Sequence, residues 1–307
     1  MTACVELSRA ASEWAPGFVT TDDVLDPRGA ADLATVIQAP AAPSDGEPLP
    51  DLWHGAYFDR WLPRAALGED GHPAISELLP PIGNRRRMFA GGVLTTRQPL
   101  IVGHPATRHS KVTDVMFREG RRAPLLFVNV THEISQDGAV KVVDEQRLVY
   151  STTNLAARTG TTPATTAPIS QSAKATPHDR SDRAESDGDV TFTTTDLFRF
   201  SAVTHNTHRI HYDEHYATSV EGHAGLVVHG PLLATVARQR FPMDGASCGW
   251  TFTYRLDAPT FANERCHLRL TADPDTAENI VEVIGPDEMR RCEMRATPPT
   301  SGGEPRA

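Results

Sequence analysis

The chain has 307 residues, of which 39% are hydrophobic and 22% are charged. This balance is ordinary for a globular protein, and it excludes a wholly disordered chain and a coiled coil. The 30 basic and 39 acidic residues give a net charge of -9, so the surface as a whole is not expected to attract nucleic acid or an anionic membrane.

Neither a membrane span nor an export signal is visible in the sequence. No apolar run approaches the roughly 20 residues that a membrane-spanning helix needs, and the first residues lack the basic and apolar stretches of a signal peptide. The four cysteines form no Cys-x-x-Cys pair: Cys4, Cys248, Cys266 and Cys292. We therefore expect that the thiols are reduced and that the protein is cytoplasmic. We do not expect a zinc knuckle.

One segment in the middle of the chain breaks the globular pattern. Residues 152–189 are dominated by Thr, Ser, Ala, Pro, Asp and Arg, with Leu155 and Ile169 nearly their only large apolar side chains. Such a stretch cannot bury enough surface to offset its ordering entropy. We predict a flexible linker there, between an N-terminal domain of residues 1–151 and a C-terminal domain of residues 190–307.

The first half is predicted to begin with a helix over residues 28–36. A second, apolar helix is predicted to open at the His-Gly pair within residues 52–58. Apolar runs that are typical of strands follow over four stretches: 92–102, 110–117, 125–133 and 140–150.

The second half repeats this order of elements. Residues 192–203 are predicted as a strand, followed by a His-rich turn and a short helix from about Asp213. A buried helix is predicted over residues 226–237, because this run is apolar nearly all round and has Pro at its first turn, where a missing N–H costs nothing. Four strands are then predicted: 249–256, 267–272, 280–284 and 289–296. The repeated order predicts an α+β fold in which two curved antiparallel sheets, joined edge to edge, each wrap a central helix.

The densest group of chemically active side chains lies between residues 200 and 213. Asn206 is followed five places later by His211, and eighteen residues further on His229 and Gly230 open the predicted buried helix. This order resembles the fingerprint of the MaoC-like hydratase/dehydratase family, in which an acidic residue, a His and a His-Gly pair follow one another at these spacings.

The resemblance extends along the whole chain. Residues 52–54, 86–92 and 200–212 are similar to the branch of that family that contains mesaconyl-CoA hydratase and fungal mitochondrial hydroxyacyl-thioester dehydratase. It implies a double hot-dog fold and the reversible hydration of an enoyl thioester, or dehydration of a 3-hydroxyacyl thioester. The resemblance also implies no cofactor beyond the coenzyme A or phosphopantetheine that is part of the substrate.

The chemistry of hydration suggests a role for each residue of the motif. His211 is the natural general base and acid, because an imidazole titrates near neutral pH. Asn206 stands where the wider family has Asp; an amide does not titrate, so we expect it to orient the water. The backbone N–H of Gly230, at a helix N-terminus, is expected to stabilise the thioester oxyanion. His229 is expected to shape the turn and to contact the substrate.

Simpler interpretations stand beside these roles. Asn206 could cap the following helix, Gly230 could be only a cap, and His211 could be a solvated or core histidine. Four histidines also have the spacings of a metal site: His205, His208, His211 and His215. We expect no metal, because no close Cys joins them and the segment lies at a turn.

A second candidate site is the tripeptide Arg85-Arg86-Arg87, which precedes Gly91-Gly92. Because the chain is acidic overall, such a local basic cluster could bind the phosphates of coenzyme A or of a phosphopantetheine arm. The alternative is a solvated run of charges. The Gly91-Gly92 pair more simply eases a bend in a strand.

The first half contains no counterpart of Asn206 and His211. Residues 20–27 occupy the analogous place and include no His, so we predict one active site per chain, with the first half as a non-catalytic wall of the acyl or coenzyme pocket. The acidic chain would not steer an acidic carrier protein, which favours coenzyme A as the carrier. A homodimer and a monomer are both compatible with two halves in one chain.

Two other functions remain open at this point. Hot-dog folds also host thioesterases, although the motif offers no extra carboxylate for hydrolysis. A non-catalytic protein that binds acyl thioesters is the third alternative, with Asn206 as the mark of lost catalysis, because the fold does not decide the function.

Overall fold

The structure is a computed structural model that describes residues 3–82, 85–120, 123–152, 188–243, 247–272 and 278–299. The first half contributes these helices and strands: α1 Ala3–Glu13, β1 Val19–Val24, α2 Pro27–Val36, β2 Arg86–Thr96, β3 Pro105–Glu119, β4 Pro124–Gln136 and β5 Ala139–Ser151. The second half contributes the following: β6 Gly188–Thr191, α3 Thr194–Val203, α4 Gly230–Arg238, β7 Thr251–Leu256, β8 Arg265–Ala272, β9 Asn279–Ile284 and β10 Arg290–Thr297.

The described strands form one antiparallel sheet in the order β1-β3-β4-β5-β2-β7-β10-β9-β8-β6. The two halves meet where β2 pairs with β7, from Gly91 opposite Arg255 to Thr95 opposite Thr251. The sheets are thus joined edge to edge, as the sequence predicts. This shared sheet and the few helices packed on it make the fold α+β.

Gly91 and Gly92 allow the bend that this junction needs. The β2–β5 register shifts between Phe89 and Gly91, and Gly91 has φ +134°. A Cβ at Gly91 would lie 2.2 Å from the carbonyl oxygen of Tyr254, which is closer than non-bonded atoms approach. The prediction that the glycine pair eases a bend is confirmed, and the pair also lets β7 come close.

Helix α4 is the central helix of the second half, and it packs against β2, β9 and β10. Its residues from Leu232 to Arg238 are buried. The helix begins at Gly230 and not at residue 226, because the preceding residues are extended: Val227 forms a bridge with Phe261, and the N–H of Val228 donates to the carbonyl of Thr260.

Residues 192–203 form a helix for most of their length, so the strand prediction is wrong there. Thr193 and Asp196 form a capping box, in which each side chain accepts from the other residue's N–H. Leu197, Phe200 and Ser201 then fall at helical spacing on the buried face. The capping box at Thr193 therefore marks a helix start, and it outweighs the strand-like run of apolar residues that follows.

The prediction of an apolar helix within residues 52–58 is also wrong. The chain makes only the 3-10 turn Trp53–Ala56, since Leu52 and Phe58 both have left-handed backbone angles, with φ +69° and +71°. Residues 209–220 likewise form a 3-10 turn, Arg209–His211, and a single π turn, Tyr216–Val220, in place of a regular helix. Residues 52–58, all of which are described, therefore do not form the apolar helix that is predicted for the first half.

Most strand predictions are confirmed to within a few residues. Apart from residues 192–203, the exception is β2, predicted over 92–102, which begins at Arg86 and ends at Thr96. Strand β1 was not predicted. Most of the predicted linker lies outside the described residues, and its last two residues, Gly188 and Asp189, belong to β6. No helix in the described ranges is long and apolar enough to cross a membrane. The cytoplasmic location stays a prediction.

Candidate active site

His211 is buried and held in one orientation by the backbone. It ends the 3-10 turn Arg209–His211, and its side chain is shielded from solvent, with the residue 6% exposed. The Nδ1–H donates to the carbonyl oxygen of Val227 at 2.7 Å. This hydrogen bond keeps the proton on Nδ1 and leaves a lone pair on Nε2.

The surroundings keep His211 neutral. Burial lowers its pKa to about 4, the charges of His223 and Arg87 act in the same direction, and the hydrogen bond to Val227 opposes them. A neutral imidazole with a free Nε2 lone pair is the form that a general base requires.

His229 lies against His211 and immediately before α4. The two rings are stacked, with centroids 3.6 Å apart and an interplanar angle of 20°. His229 is fully buried, its Nε2 lies 2.9 Å from Ser201 Oγ, and its Nδ1 has no hydrogen-bond partner in the described structure. The stack places the ring of His211 beside the residue that precedes Gly230. The structure therefore brings His211 close to the start of α4, as the spacing of the motif predicts.

Gly230 is the first residue of α4, where a side chain would force its neighbours to move. A Cβ there would lie 2.4 Å from Leu256 Cδ1 and 2.8 Å from Phe89 Cδ1. No described residue accepts a hydrogen bond from its backbone N–H, as is usual for the first turn of a helix. The free N–H and the positive end of the helix dipole could both act on a developing anion.

Asn206 combines a structural contact with a free donor. Its Oδ1 accepts from the backbone N–H of His208 at 3.0 Å, and its own N–H donates to the carbonyl of Ser201 at 2.9 Å. The side-chain Nδ2 has no partner within the described ranges. Asn206 therefore shapes the chain just before the 3-10 turn Arg209–His211 and does not cap it, because the N-cap there is His208. Its side-chain amide is still able to donate to a ligand or water.

A loop of the first half, residues 68–74, covers the motif. A Cβ at Gly71 would lie 1.9 Å from the carbonyl oxygen of Thr207, whose hydroxyl donates to the carbonyl of Gly71. His72 packs on His208 with ring centroids 4.1 Å apart, and its Nδ1 lies 3.2 Å from Asp70 Oδ2. This loop of the first half thus lies over the motif of the second half. Sequence reasoning missed this loop, because no spacing pattern links residues so far apart in the chain.

The buried histidines form a row of rings but not a metal site. His208 lies edge-on to His211 at 5.4 Å, and burial is the main cause that lowers the pKa of both His208 and His72 well below the usual range. His205 packs instead on Trp61. Among the described residues, no group of three or more His, Cys, Asp or Glu is arranged to hold a metal ion.

The three consecutive arginines have different surroundings. Arg85 Nε lies 3.2 Å from Asp70 Oδ2, and Arg86 Nη1 lies 2.8 Å from Glu221 Oε2. Arg87 has no carboxylate partner among the described residues. Phosphate binding stays a prediction for all three arginines, and for Arg85 and Arg86 it would require these ion pairs to open.

Comparison with known families and proteins agrees with this geometry. Residues 52–262 match the family model "Hydroxyacyl-thioester dehydratase type 2", which is more than half of the chain. The chain belongs to this family. The mesaconyl-C(4)-CoA hydratase of Chloroflexus aurantiacus is 36% identical over 266 residues, covering 87% of this chain and 89% of that protein. The mitochondrial hydroxyacyl-thioester dehydratase type 2 of Schizosaccharomyces pombe is 25% identical over 230 residues, covering 69% and 74%.

Solved structures share the fold of this dehydratase family member at low sequence identity. HtdX of Mycobacterium tuberculosis has a TM-score of 0.60 at 16% identity, covering 92% of this chain and 100% of that one. A MaoC-like dehydratase has a TM-score of 0.63 at 13% identity, covering 94% and 100%. A second M. tuberculosis protein, with a double hotdog fold, has a TM-score of 0.53 at 12% identity, covering 94% and 96%. The double hot-dog prediction is confirmed, and family membership confirms the predicted hydro-lyase class.

Proposed function

We propose that the chain catalyses the reversible hydration of an enoyl-CoA thioester to a 3-hydroxyacyl-CoA thioester. The observation that carries this proposal is the 2.7 Å hydrogen bond from His211 Nδ1 to Val227, combined with the stack of His211 on His229 beside the start of α4. Together they present a neutral imidazole base beside a free helix N–H. The names of the two sequence relatives support thioesters as the substrates.

In the hydration direction, His211 Nε2 takes a proton from water while the water oxygen bonds to C3 of the enoyl group. The electron pair of the double bond moves towards the thioester carbonyl, whose oxygen becomes negative. The imidazolium of His211 then returns the proton to C2, which completes the addition of water and restores the base.

Two further groups assist these steps. Asn206 Nδ2 donates to the oxygen of the water and holds it for attack. The Gly230 N–H donates to the thioester oxygen, and in a site shielded from water such a hydrogen bond is stronger than in solvent. His229 supports the ring of His211 from one side, and the loop of residues 68–74 excludes bulk water from the other parts of the motif.

The test is incubation of the purified protein with short enoyl-CoA thioesters. Loss of the conjugated double bond without release of thiol supports the hydratase, whereas thiol release indicates hydrolysis, and neither change indicates a binding protein. His211→Ala should lower turnover by at least ~10²-fold. His215→Ala is the matched control, because His215 is exposed and, within the described chain, its ring hydrogen-bonds to Ser219. An equal effect of the two substitutions would remove His211 from the mechanism.

A further inference from the structure

Asp70 organises the loop of residues 68–74 from within. Its Oδ1 accepts from the backbone N–H of His72 at 3.0 Å, and its Oδ2 lies 3.2 Å from both His72 Nδ1 and Arg85 Nε. A carboxylate can only accept, so the proton of the His72 ring is on Nδ1. Asp70 is 7% exposed and His72 is 5% exposed, so solvent hardly reaches these hydrogen bonds. The carboxylate of Asp70 therefore fixes both the backbone and the ring of His72.

The same loop is bound to the residues that lead to His211. The carbonyl oxygen of Asp70 accepts from the backbone N–H of Arg209 at 3.0 Å. The hydroxyl of Thr207 donates to the carbonyl oxygen of Gly71. The loop of the first half and the 3-10 turn that ends at His211 are thus tied together on both sides of His208.

His208 connects the ring of His72 to the ring of His211. The ring centroids of His72 and His208 are 4.1 Å apart, with an interplanar angle of 37°. Those of His208 and His211 are 5.4 Å apart, and these two rings are perpendicular, at 89°. His208 is 5% exposed, and within the described chain no hydrogen bond holds its side chain. Its ring is therefore held by packing, and His72 provides one side of that packing.

The ring of His211 needs this support because its other contacts leave it a freedom. The 2.7 Å hydrogen bond to Val227 fixes the position of Nδ1, but the ring can still pivot about that atom. The stack on His229 limits the pivot from one side, and the perpendicular ring of His208 also limits it. A pivot displaces Nε2, and a misplacement of about 1 Å at a reacting atom can lower a rate by about 10²-fold.

We propose that Asp70 is a positioning residue, which acts through His72 and His208 to hold the ring of His211 in the orientation for proton transfer. This inference rests on the proposed function. The first half then contributes to the reaction itself, because it supplies the carboxylate that keeps the row of rings in place. Loss of Asp70 should lower kcat much more than it raises KM, since the orientation of the base affects proton transfer and not the binding of the thioester.

The first experiment measures the freedom of His211 without turnover. Proton NMR follows the hydrogen-bonded Nδ1–H of His211, assigned by its absence in His211→Ala, and its exchange with water. Asp70→Ala should accelerate this exchange by at least ~10-fold, because the ring opens more often when its support is lost. Asp70→Asn keeps one oxygen acceptor and should have an intermediate effect. An unchanged exchange rate in Asp70→Ala would overturn the proposal.

An exposed pair of the same chemistry provides the matched controls. Asp189 lies 3.2 Å from His267 Nδ1 and is paired with Arg265, so it has the same kinds of partner as Asp70. It is exposed and lies on β6, the outermost strand of the second half. Asp189→Ala and His267→Ala should change neither the exchange rate of His211 nor turnover. If they act as strongly as Asp70→Ala, the effect of Asp70 is not specific and the proposal fails.

The second experiment tests whether Asp70 acts through His72. Hydration of an enoyl-CoA thioester is measured for Asp70→Ala, for His72→Ala and for the double variant. Each single substitution should lower kcat by at least ~10-fold. The double variant should be hardly slower than either, because residues that act in series are not additive. Losses that multiply, an unchanged kcat in His72→Ala, or a change confined to KM would each contradict the proposed role.

Thermal unfolding should confirm that each variant is folded. If Asp70→Ala does not fold, Asp70→Asn and His72→Ala carry the same tests, because both keep an acceptor for Arg85. If the wild type hydrates no enoyl thioester, the proposed function fails. The exchange of the His211 Nδ1–H in the variants of Asp70 and His72 would still decide whether Asp70 positions that ring.

Discussion

The ring of His211 stacks on the ring of His229 at a centroid distance of 3.6 Å. Two imidazolium ions could not share that position in a dry environment, so at least one ring must stay neutral, and burial lowers the pKa of both. The stack thus links the orientation of the proposed base to its protonation.

Ser201 is expected to hold this stack in place from behind. Ser201→Ala removes the hydroxyl that lies 2.9 Å from His229 Nε2, and it would leave both ring nitrogens of a fully buried histidine without a partner. We expect a loss of about 1–3 kcal/mol in the free energy of unfolding, measured by urea denaturation. Ser219→Ala removes a similar hydroxyl from exposed His215 and should cost less than about 0.5 kcal/mol. Equal costs would show that the buried contact has no special role.

The pH dependence of turnover should follow the lowered pKa of His211. Because kcat/KM reports the free enzyme, and because only the neutral imidazole acts as a base, kcat/KM for hydration should fall as the pH drops through about 4. It should be level across pH 6.5, where an ordinary histidine titrates. Circular dichroism at each pH separates this limb from unfolding, and a half-maximal loss near pH 6.5 would contradict the prediction.

Stability should decrease in mild acid for a related reason. Seven described histidines have lowered pKa values: His72, His132, His205, His208, His211, His223 and His229. Below pH 6.5 the unfolded chain binds protons at these positions that the folded chain does not bind, so the free energy of unfolding falls as the pH is lowered from about 6.5 towards 4. Each histidine contributes at most about 1.4 kcal/mol per pH unit.

One carboxyl group works against this trend. Burial raises the pKa of Glu221 despite its contact with Arg86, so in part of this range the folded chain binds a proton there that the unfolded chain does not. The histidines outnumber it, and urea denaturation at several pH values should show a net decrease in stability. A constant free energy of unfolding between pH 7 and pH 5 would contradict this expectation.

Gly71→Ala should separate the covering loop from the motif. A Cβ at Gly71 would lie 1.9 Å from the carbonyl of Thr207, and the residue also has φ +86°. Gly138→Ala is the control, since Gly138 has φ +75° with nothing within 4 Å and should show only the backbone cost of about 1–2 kcal/mol. We expect Gly71→Ala to destabilise the protein further and to lower turnover, and equal effects of the two substitutions would mean that the loop contact is unimportant.

How much of the fold and of the candidate site can be predicted from the sequence depends on whether the residues involved lie close together in the chain. The closeness of His211 to the start of α4 is predicted by a motif within one stretch of chain. The repeated order of elements predicts that the two sheets join edge to edge, but not that β2 and β7 are the strands that meet. The ion pair of Arg86 with Glu221 and the packing of His72 on His208 join residues more than a hundred positions apart, and a single sequence holds no trace of such pairings. The strand prediction at residues 192–203 is wrong for a local reason, because the capping box of Thr193 and Asp196 starts a helix there.

The acceptor and the donor of the Asn206 side chain can be tested separately. Asn206→Ala removes both the Oδ1 acceptor of the His208 N–H and the free Nδ2 donor, so we expect kcat/KM to fall by about 10-fold or more, the scale of one positioned hydrogen bond. Asn206→Asp keeps the acceptor, and hence the turn, while it replaces the donor with a group that titrates. This variant should retain the stability of the wild type and add an acidic limb to its pH profile of turnover. If Asn206→Ala turns over at the wild-type rate, Asn206 serves the turn alone and the water is held by another group.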